Sequence, residues 1–221
     1  MTVINAVVFD FDGVVVNSEP LYEKAELELF SYYGIDVDLE DIRDTKGLPE
    51  DSYLKLISER YHITIPQTEL RKRGRKLLRR AFAEALDYMP GFLDFFHRIA
   101  EKVSTGLATS SGRAMLNWIF EHTIIENHFT RIVTADDVVR SKPFPDPYLK
   151  ICRMLATDPG STLVIEDSAT GLQAAKAAGT IAVGFAGSAR PAELTAADYI
   201  VQNYSEIERL VEDNFRLRKN K

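Results

Sequence analysis

The sequence predicts an α/β protein: a Rossmann-like, doubly wound parallel sheet carrying an inserted all-helical domain. Two observations predict it. From residue 92 onward, apolar strand-like runs alternate with segments of helical period, the rhythm of a parallel sheet covered by helices on both faces. One further strand-like run stands near the start of the chain, cut off from that rhythm by a block that is helical throughout.

Taken in order, residues 3–9 form a short apolar run of the kind that makes a strand buried on both faces. At Ser18 the pattern turns helical: Ser18 is placed to cap, Pro20 suits a first turn, and Leu21, Ala25, Leu29 and Tyr33 follow at helical spacing before Gly34. Residues 50–61 put Tyr53, Leu54, Ile57 and Tyr61 on one face. Residues 68–86 do the same with Leu70, Leu77, Leu78, Ala81, Phe82 and Ala85. "MPG" at 89–91 then punctuates the chain. Beyond it, helices are expected over 92–102, 113–122, 146–155 and 171–178. Strands are expected over 103–109, 131–134, 162–165, 181–185 and 198–201, with "RLRKNK" as a flexible tail. The first strand belongs with this sheet, so residues 1–16 and 87–221 form the core domain and 17–86 an inserted cap.

Composition bounds the function. The chain of 221 residues is 45% hydrophobic and 27% charged, in the range of a soluble globular protein. With 27 basic against 33 acidic residues the net charge is −6, which disfavours nucleic acid and anionic membranes as partners. The single cysteine, Cys152, permits no intrachain disulfide and fits a reducing, cytoplasmic setting. No apolar run reaches the length of a membrane span, and the N-terminus lacks a signal-peptide pattern.

Parallel sheets bind ligands at the carboxyl ends of their strands. Here those ends carry Asp10 and Asp12, "TSS" (Thr109, Ser110, Ser111), "SKP" (Ser141, Lys142, Pro143), and Glu166 with Asp167. Side chains two apart on an extended segment point the same way, so Asp10 and Asp12 can address one ligand. Turn chemistry offers a plainer account: apolar runs flanking Asp12-Gly13 read as a hairpin, and Asp167 or Ser168 reads as a helix cap. That account leaves Asp10 and Glu166 without a reason. Two acid pairs, each closing an apolar strand, are better explained by a shared hard divalent cation such as Mg²⁺.

"DFDGV", "TSS", "SKPFPDP" and "IEDSATG" occur in this order over nearly the whole chain. The set resembles the haloacid dehalogenase superfamily, in the phosphatase and β-phosphoglucomutase branch with a helical cap after strand one. The resemblance implies that Asp10 attacks phosphorus to form an aspartyl-phosphate, and that Asp12 acts as acid and then base. It implies that Thr109 and the Ser110 amide bind the phosphoryl oxygens and that Lys142 neutralises charge. Mg²⁺ would be held by Asp167 and Glu166 with Asp10 and the Asp12 backbone carbonyl. Dehalogenating members lack the second aspartate and ion-pumping ATPases carry threonine there, so Asp12 points to phosphate esters.

Lys46-Gly47 resembles a cap loop that reaches the substrate in sugar-phosphate members; the plainer reading is a turn between helices. Mutases with this loop place an arginine after it, where this chain has Leu48, Pro49 and Glu50. The expected activity is therefore Mg²⁺-dependent hydrolysis of a small phosphorylated metabolite, a sugar or polyol phosphate, by a monomer or weak homo-oligomer. The alternatives are a β-phosphoglucomutase-like phosphomutase and a phospho-accepting receiver domain. "RKRGRKLLRR" reads as the solvated face of a cap helix, Cys152 as core, and Trp118 with Phe120 as helix packing. His62, His97, His122 and His128 look too scattered for a metal site.

Overall fold

A computed structural model describes residues 1–43, 45 and 50–218. The chain separates into two compact units, Met1–Asn17 with Asp87–Lys221, and Ser18–Leu86. It starts with β1 (Thr2–Ile4) and β2 (Ala6–Phe9). Together they replace the single strand expected over 3–9, and the division at Asn5 has a cause in burial. All four residues of β2 are buried, whereas β1 exposes Thr2 and Val3 and cannot lie between two helical layers. Its partner instead comes from the far end of the chain.

The second unit is helical: α1 (Glu19–Tyr32), α2 (Leu39–Arg43), α3 (Glu50–Arg60) and α4 (Gln67–Ala85). Ala25, Leu29, Phe30, Leu54, Ile57, Leu70 and Leu77 close one apolar core. Gly74 brings α4 close to α1, since a Cβ there would stand 3.3 Å from Leu29 Cδ2. Ser18 precedes α1 without capping it through its side chain, contrary to expectation, while Pro20 does occupy the first turn. The fixed φ of Pro20 suits that turn, and the N–H it lacks would have no intrahelical partner there.

The first unit resumes with α5 (Phe92–Lys102), β3 (Ser104–Ala108), α6 (Arg113–His122), β4 (Ile132–Val133) and α7 (Asp146–Met154). It continues through β5 (Thr162–Glu166), α8 (Ala169–Ala177), β6 (Ile181–Phe185) and β7 (Tyr199–Val201). It ends with α9 (Tyr204–Asn214) and β8 (Phe215–Leu217). Six strands form one parallel sheet in the order β4-β3-β2-β5-β6-β7. From β2 the chain moves outward to one side and then returns to the other through β5, so β2 stands where the winding reverses.

Alternating side chains of β2 serve the two faces. Val8 packs with Tyr148 and Ile151 of α7 and Leu172 of α8. Phe9 meets Phe92, Phe95, Phe96 and Phe129 at ring distances of 5.7–6.1 Å, and Phe95 in turn meets Tyr204 of α9. Truncating Phe9 in such a setting costs about 3–5 kcal/mol.

The sequence reading placed no helix at α9 and a loose tail at β8. Asn203 caps α9, its side chain accepting from Glu206 N, and Tyr204, Ile207 and Val211 are buried at helical spacing. β8 pairs in parallel with β1, Thr2 opposite Phe215, and Arg218 N donates to the Ile4 carbonyl at 2.9 Å. Of the expected tail, Arg216 and Leu217 are therefore strand.

Candidate active site

The ladder between β2 and β5 runs one bond past the strand, Asp10 N donating to the Ile165 carbonyl at 3.0 Å. This aims Asp10 from the carboxyl end of the sheet at the winding reversal. The chain then folds back on itself: Val15 N and Val16 N both donate to the Phe11 carbonyl, and Gly13 N donates to Val16 O at 2.8 Å. Asp12 bridges Val16 in the parallel sense, and β2 is flanked by β3 and β5. The Asp12-Gly13 hairpin is thus not formed. Gly13 has φ +74°, and a Cβ there would collide with the Asp167 carboxylate, so both conformation and close approach call for glycine.

Asp10, Glu166 and Asp167 are buried, with carboxylate oxygens within 4.8 Å of one another. Lys142, from the loop before α7 and 4% exposed, donates to Asp10 Oδ1 at 2.6 Å, to Glu166 Oε1 at 2.5 Å and to the Ala108 carbonyl at 3.0 Å. Glu166 is held further by Tyr148 Oη at 2.6 Å and by Ser168 N and Oγ at 3.2 and 2.9 Å. Gly171, in the first turn of α8, lies so close that a Cβ would fall inside the Glu166 carboxylate. Ser168 also caps α8 through Gly171 N, so the cap and the acid cluster share one residue.

Burial pushes the Asp10 carboxyl well above its ordinary range; Lys142 opposes this, and Glu166 and Asp167 add to it. For Lys142, burial works against the charge, but Asp10 and Glu166 outweigh it and raise the ammonium pKa. Burial and the Glu166 charge likewise push the Tyr148 phenol well up, so it stays a donor.

Asp12 has a different setting. It is half-buried, and its Oδ2 accepts from Ser111 Oγ at 3.0 Å. Thr109 is buried at the end of β3, its Oγ1 accepting from Ser111 N at 3.0 Å, while Ser110 is exposed. Asp167 Oδ2 lies 2.9 Å from Ser188 Oγ, in the loop after β6. Asp10, Lys142, Glu166 and Asp167 are therefore brought together, with Asp12, Thr109 and Ser110 on the adjoining loops. Lys46 and Gly47 lie outside the described residues.

Sequence reasoning gave no role to Ser111, Tyr148 or Ser188. The first two sit inside the quoted "TSS" and just after "SKPFPDP", but Ser188 carries no local signal. His97 and His128 were judged scattered; their rings lie 6.0 Å apart, and His128 Nε2 is 2.8 Å from the Tyr88 hydroxyl.

The donor set fits a hard divalent cation. Three carboxylates and one ammonium sum to a formal charge of −2 in a nearly dry setting, and all candidate ligand atoms are oxygen. Glu166 already accepts four protein hydrogen bonds, which makes it a brace for Lys142 as much as a ligand.

Comparison with known proteins agrees with this geometry. A family model described as haloacid dehalogenase-like hydrolase matches residues 7–185. The chain is 32% identical over 177 residues to a phosphorylated carbohydrates phosphatase of Thermotoga maritima, covering 80% of this chain and 82% of that protein. It is 28% identical over 212 residues to a β-phosphoglucomutase of Bacillus subtilis, covering 92% of each. A solved haloacid dehalogenase-like protein of Agrobacterium tumefaciens shares the fold, with a TM-score of 0.81 at 22% identity over 95% of this chain and 98% of that one.

Proposed function

Because the chain belongs to the haloacid dehalogenase-like hydrolases, in the branch of phosphatases and β-phosphoglucomutases, and is a phosphoric monoester hydrolase, we propose that it hydrolyses a small sugar or polyol phosphate with Mg²⁺ through an aspartyl-phosphate on Asp10. One observation carries this reading. Asp10 and Asp12 are two residues apart yet sit in opposite environments, the one locked in a buried charge net against Lys142, the other half-buried on Ser111. Carboxyls whose surroundings separate them in this way take separate roles.

An Asp10 carboxylate oxygen attacks phosphorus, the ester P–O bond breaks, and the leaving oxygen takes the proton that Asp12 carries. Asp12 then removes a proton from water as the water oxygen attacks phosphorus. The bond from phosphorus to Asp10 breaks and the carboxylate is restored. Lys142 holds Asp10 in line and faces the transferring charge. Thr109 Oγ1 accepts from Ser111 N and keeps its own proton for a phosphoryl oxygen, and the exposed Ser110 N–H serves another. When bound on Asp10, Asp167 and the Asp12 carbonyl, beside Glu166, Mg²⁺ supplies the positive charge that this cluster and the phosphoryl group lack.

The sugar or polyol preference rests on what the relatives are named for, and on Lys46-Gly47 as a substrate contact from Ser18–Leu86, which serves as the cap. The match to a β-phosphoglucomutase keeps phosphomutase activity as the second reading. Leu48, Pro49 and Glu50, where mutases carry an arginine, favour hydrolysis. The family match displaces the receiver-domain alternative. A monomer or weak homo-oligomer that binds neither nucleic acid nor membranes fits the net charge of −6, and among the described residues no helix is long and apolar enough to cross a membrane. A cytoplasmic location fits the lone, buried Cys152.

The test is a panel of phosphorylated metabolites with Mg²⁺ scored by kcat/KM, joined to trapping in Asp12→Ala. An aryl phosphate needs little protonation to leave, so the variant should form aspartyl-phosphate and accumulate it, seen as added mass in quenched protein. A sugar phosphate should give neither adduct nor turnover. Rapid steady-state phosphate release from either substrate would overturn the role of Asp12. With a hexose bisphosphate added, movement of its phosphate to another sugar oxygen, rather than release, would establish the mutase.

A further inference from the structure

Ser188 lies outside every strand end that the sequence marks as functional, yet its hydroxyl stands at a junction. Its Oγ is 2.8 Å from the Gly13 carbonyl oxygen and 2.9 Å from Asp167 Oδ2. The contact spans three separate parts of the first unit: the loop after β2, the residue after β5, and the loop after β6. Gly13 is pressed against the same two side chains, since a Cβ on it would come within 2.7 Å of Ser188 Oγ and collide with Asp167. A side chain at position 13 would therefore displace this hydroxyl and the carboxylate alike.

We propose that Ser188 is a positioning residue for the cation: it orients Asp167 and fastens the Asp12–Gly13 loop to that carboxylate. The inference rests on the Mg²⁺ reading of the acid cluster and deepens it. A carboxylate alone at the end of a strand can rotate about its χ angles, whereas a hydroxyl donor fixes which oxygen faces its neighbours. Such partners of a ligand hold it in its binding orientation before the ion arrives. Ser188 has a single proton for two acceptors, so it bonds one fully at a time. In either arrangement its oxygen stands between the Gly13 carbonyl and Asp167 and sets their separation. The backbone of Asp12 is joined directly to Gly13, so the same contact also places the Asp12 carbonyl, the other proposed ligand on that loop.

The experiment is isothermal titration of metal-free protein with Mg²⁺, and with Mn²⁺ as a second probe, for wild type, Ser188→Ala and Ser188→Thr. Circular dichroism melts of the metal-free proteins run alongside. The alanine variant should bind both ions about 10–100-fold more weakly, and threonine, which keeps the hydroxyl, should recover most of the affinity. A Ser188→Ala affinity equal to that of a wild type that does bind would overturn the proposal. If that result came with a lowered melting temperature, Ser188 would be a loop anchor only. A wild type that binds neither ion would overturn the metal reading itself and this inference with it.

Discussion

Both units carry exposed ion pairs, but they differ in the charge they bury. In Ser18–Leu86 the ion pairs lie at the surface: Arg80 with Glu28, Arg43 with Glu23 and Glu40, Arg75 with Glu50, each partner a quarter or more exposed. In the sheet unit, Asp10, Glu166 and Asp167 are the fully buried carboxylates among the described residues, and a lysine only 4% exposed ties two of them together. Surface pairs of the first kind contribute about 0–1 kcal/mol. Buried charges of the second kind cost several kcal/mol unless compensated, which makes the cluster a candidate for chemistry. The contrast supports placing the proposed phosphoryl chemistry on the buried cluster of the sheet unit.

The largest expected effect comes from removing the proposed nucleophile. Asp10→Asn should lower kcat on the order of 10³-fold or more. It should also leave the metal-free protein at least as stable, because a neutral amide escapes the burial cost and the like charges of Glu166 and Asp167 that, against the pull of Lys142, hold the Asp10 carboxyl up. Steady-state kinetics and urea denaturation check the two halves. Substantial turnover by the folded variant would break the comparison by showing that the buried charges serve structure alone.

Lys142→Met sharpens it energetically. The variant strands Asp10 and Glu166 without their cation and should lose about 3–5 kcal/mol of stability along with activity. Arg80→Met, which cuts an exposed pair in the helical unit, should lose no more than about 1 kcal/mol. Urea unfolding of both variants in the absence of Mg²⁺ makes the measurement. Equal losses would mean that burial does not set the value of these pairs.

This difference also explains what the sequence let a reader see. Asp10 within "AVVFDFDGVVV" and Glu166 after "TLVI" were legible because a carboxylate in an apolar strand contradicts its surroundings. Lys142 and Thr109 were legible through the ordered motifs. β8 was hidden because nothing local marks "FRL" as the partner of "TVI" at the other end of the chain. α9, by contrast, carried a readable signal in Asn203 and Glu206 and in the spacing of Ile207 and Val211. Ser188 and Tyr148 act only through groups far away in sequence, Asp167 and Glu166, and their residue types are common in loops and helices. In the helical unit, periodicity gave α1, α3 and α4, missed the five-residue α2, and gave little chemistry, since exposed charge on a helix face looks the same whether or not it meets a ligand.

A smaller effect than that of Lys142→Met tests a partial exception in the helical unit. Glu26 of α1 is half-buried, and its carboxyl is pushed up to about 7: burial is the largest cause, the Tyr53 hydroxyl opposes it, and Glu19 and Glu23 add to it. The folded state therefore holds the Glu26 proton more tightly than the unfolded chain does. By linkage, stability should fall as pH rises from about 4.5, where the unfolded carboxyl titrates, to about 7, where the folded one does. The penalty is absent below that window and complete above it. A shift of this size corresponds to at most about 3 kcal/mol, and residual exposure reduces it. Glu26→Gln keeps an oxygen for Tyr53 but cannot ionise, so it should raise stability over wild type at pH 8 and leave it nearly unchanged at pH 4.5. Urea denaturation at the two pH values gives the difference directly. A gain of the same size at both would assign the effect to packing, and the helical unit would then hold no buried charge that its fold leaves uncompensated.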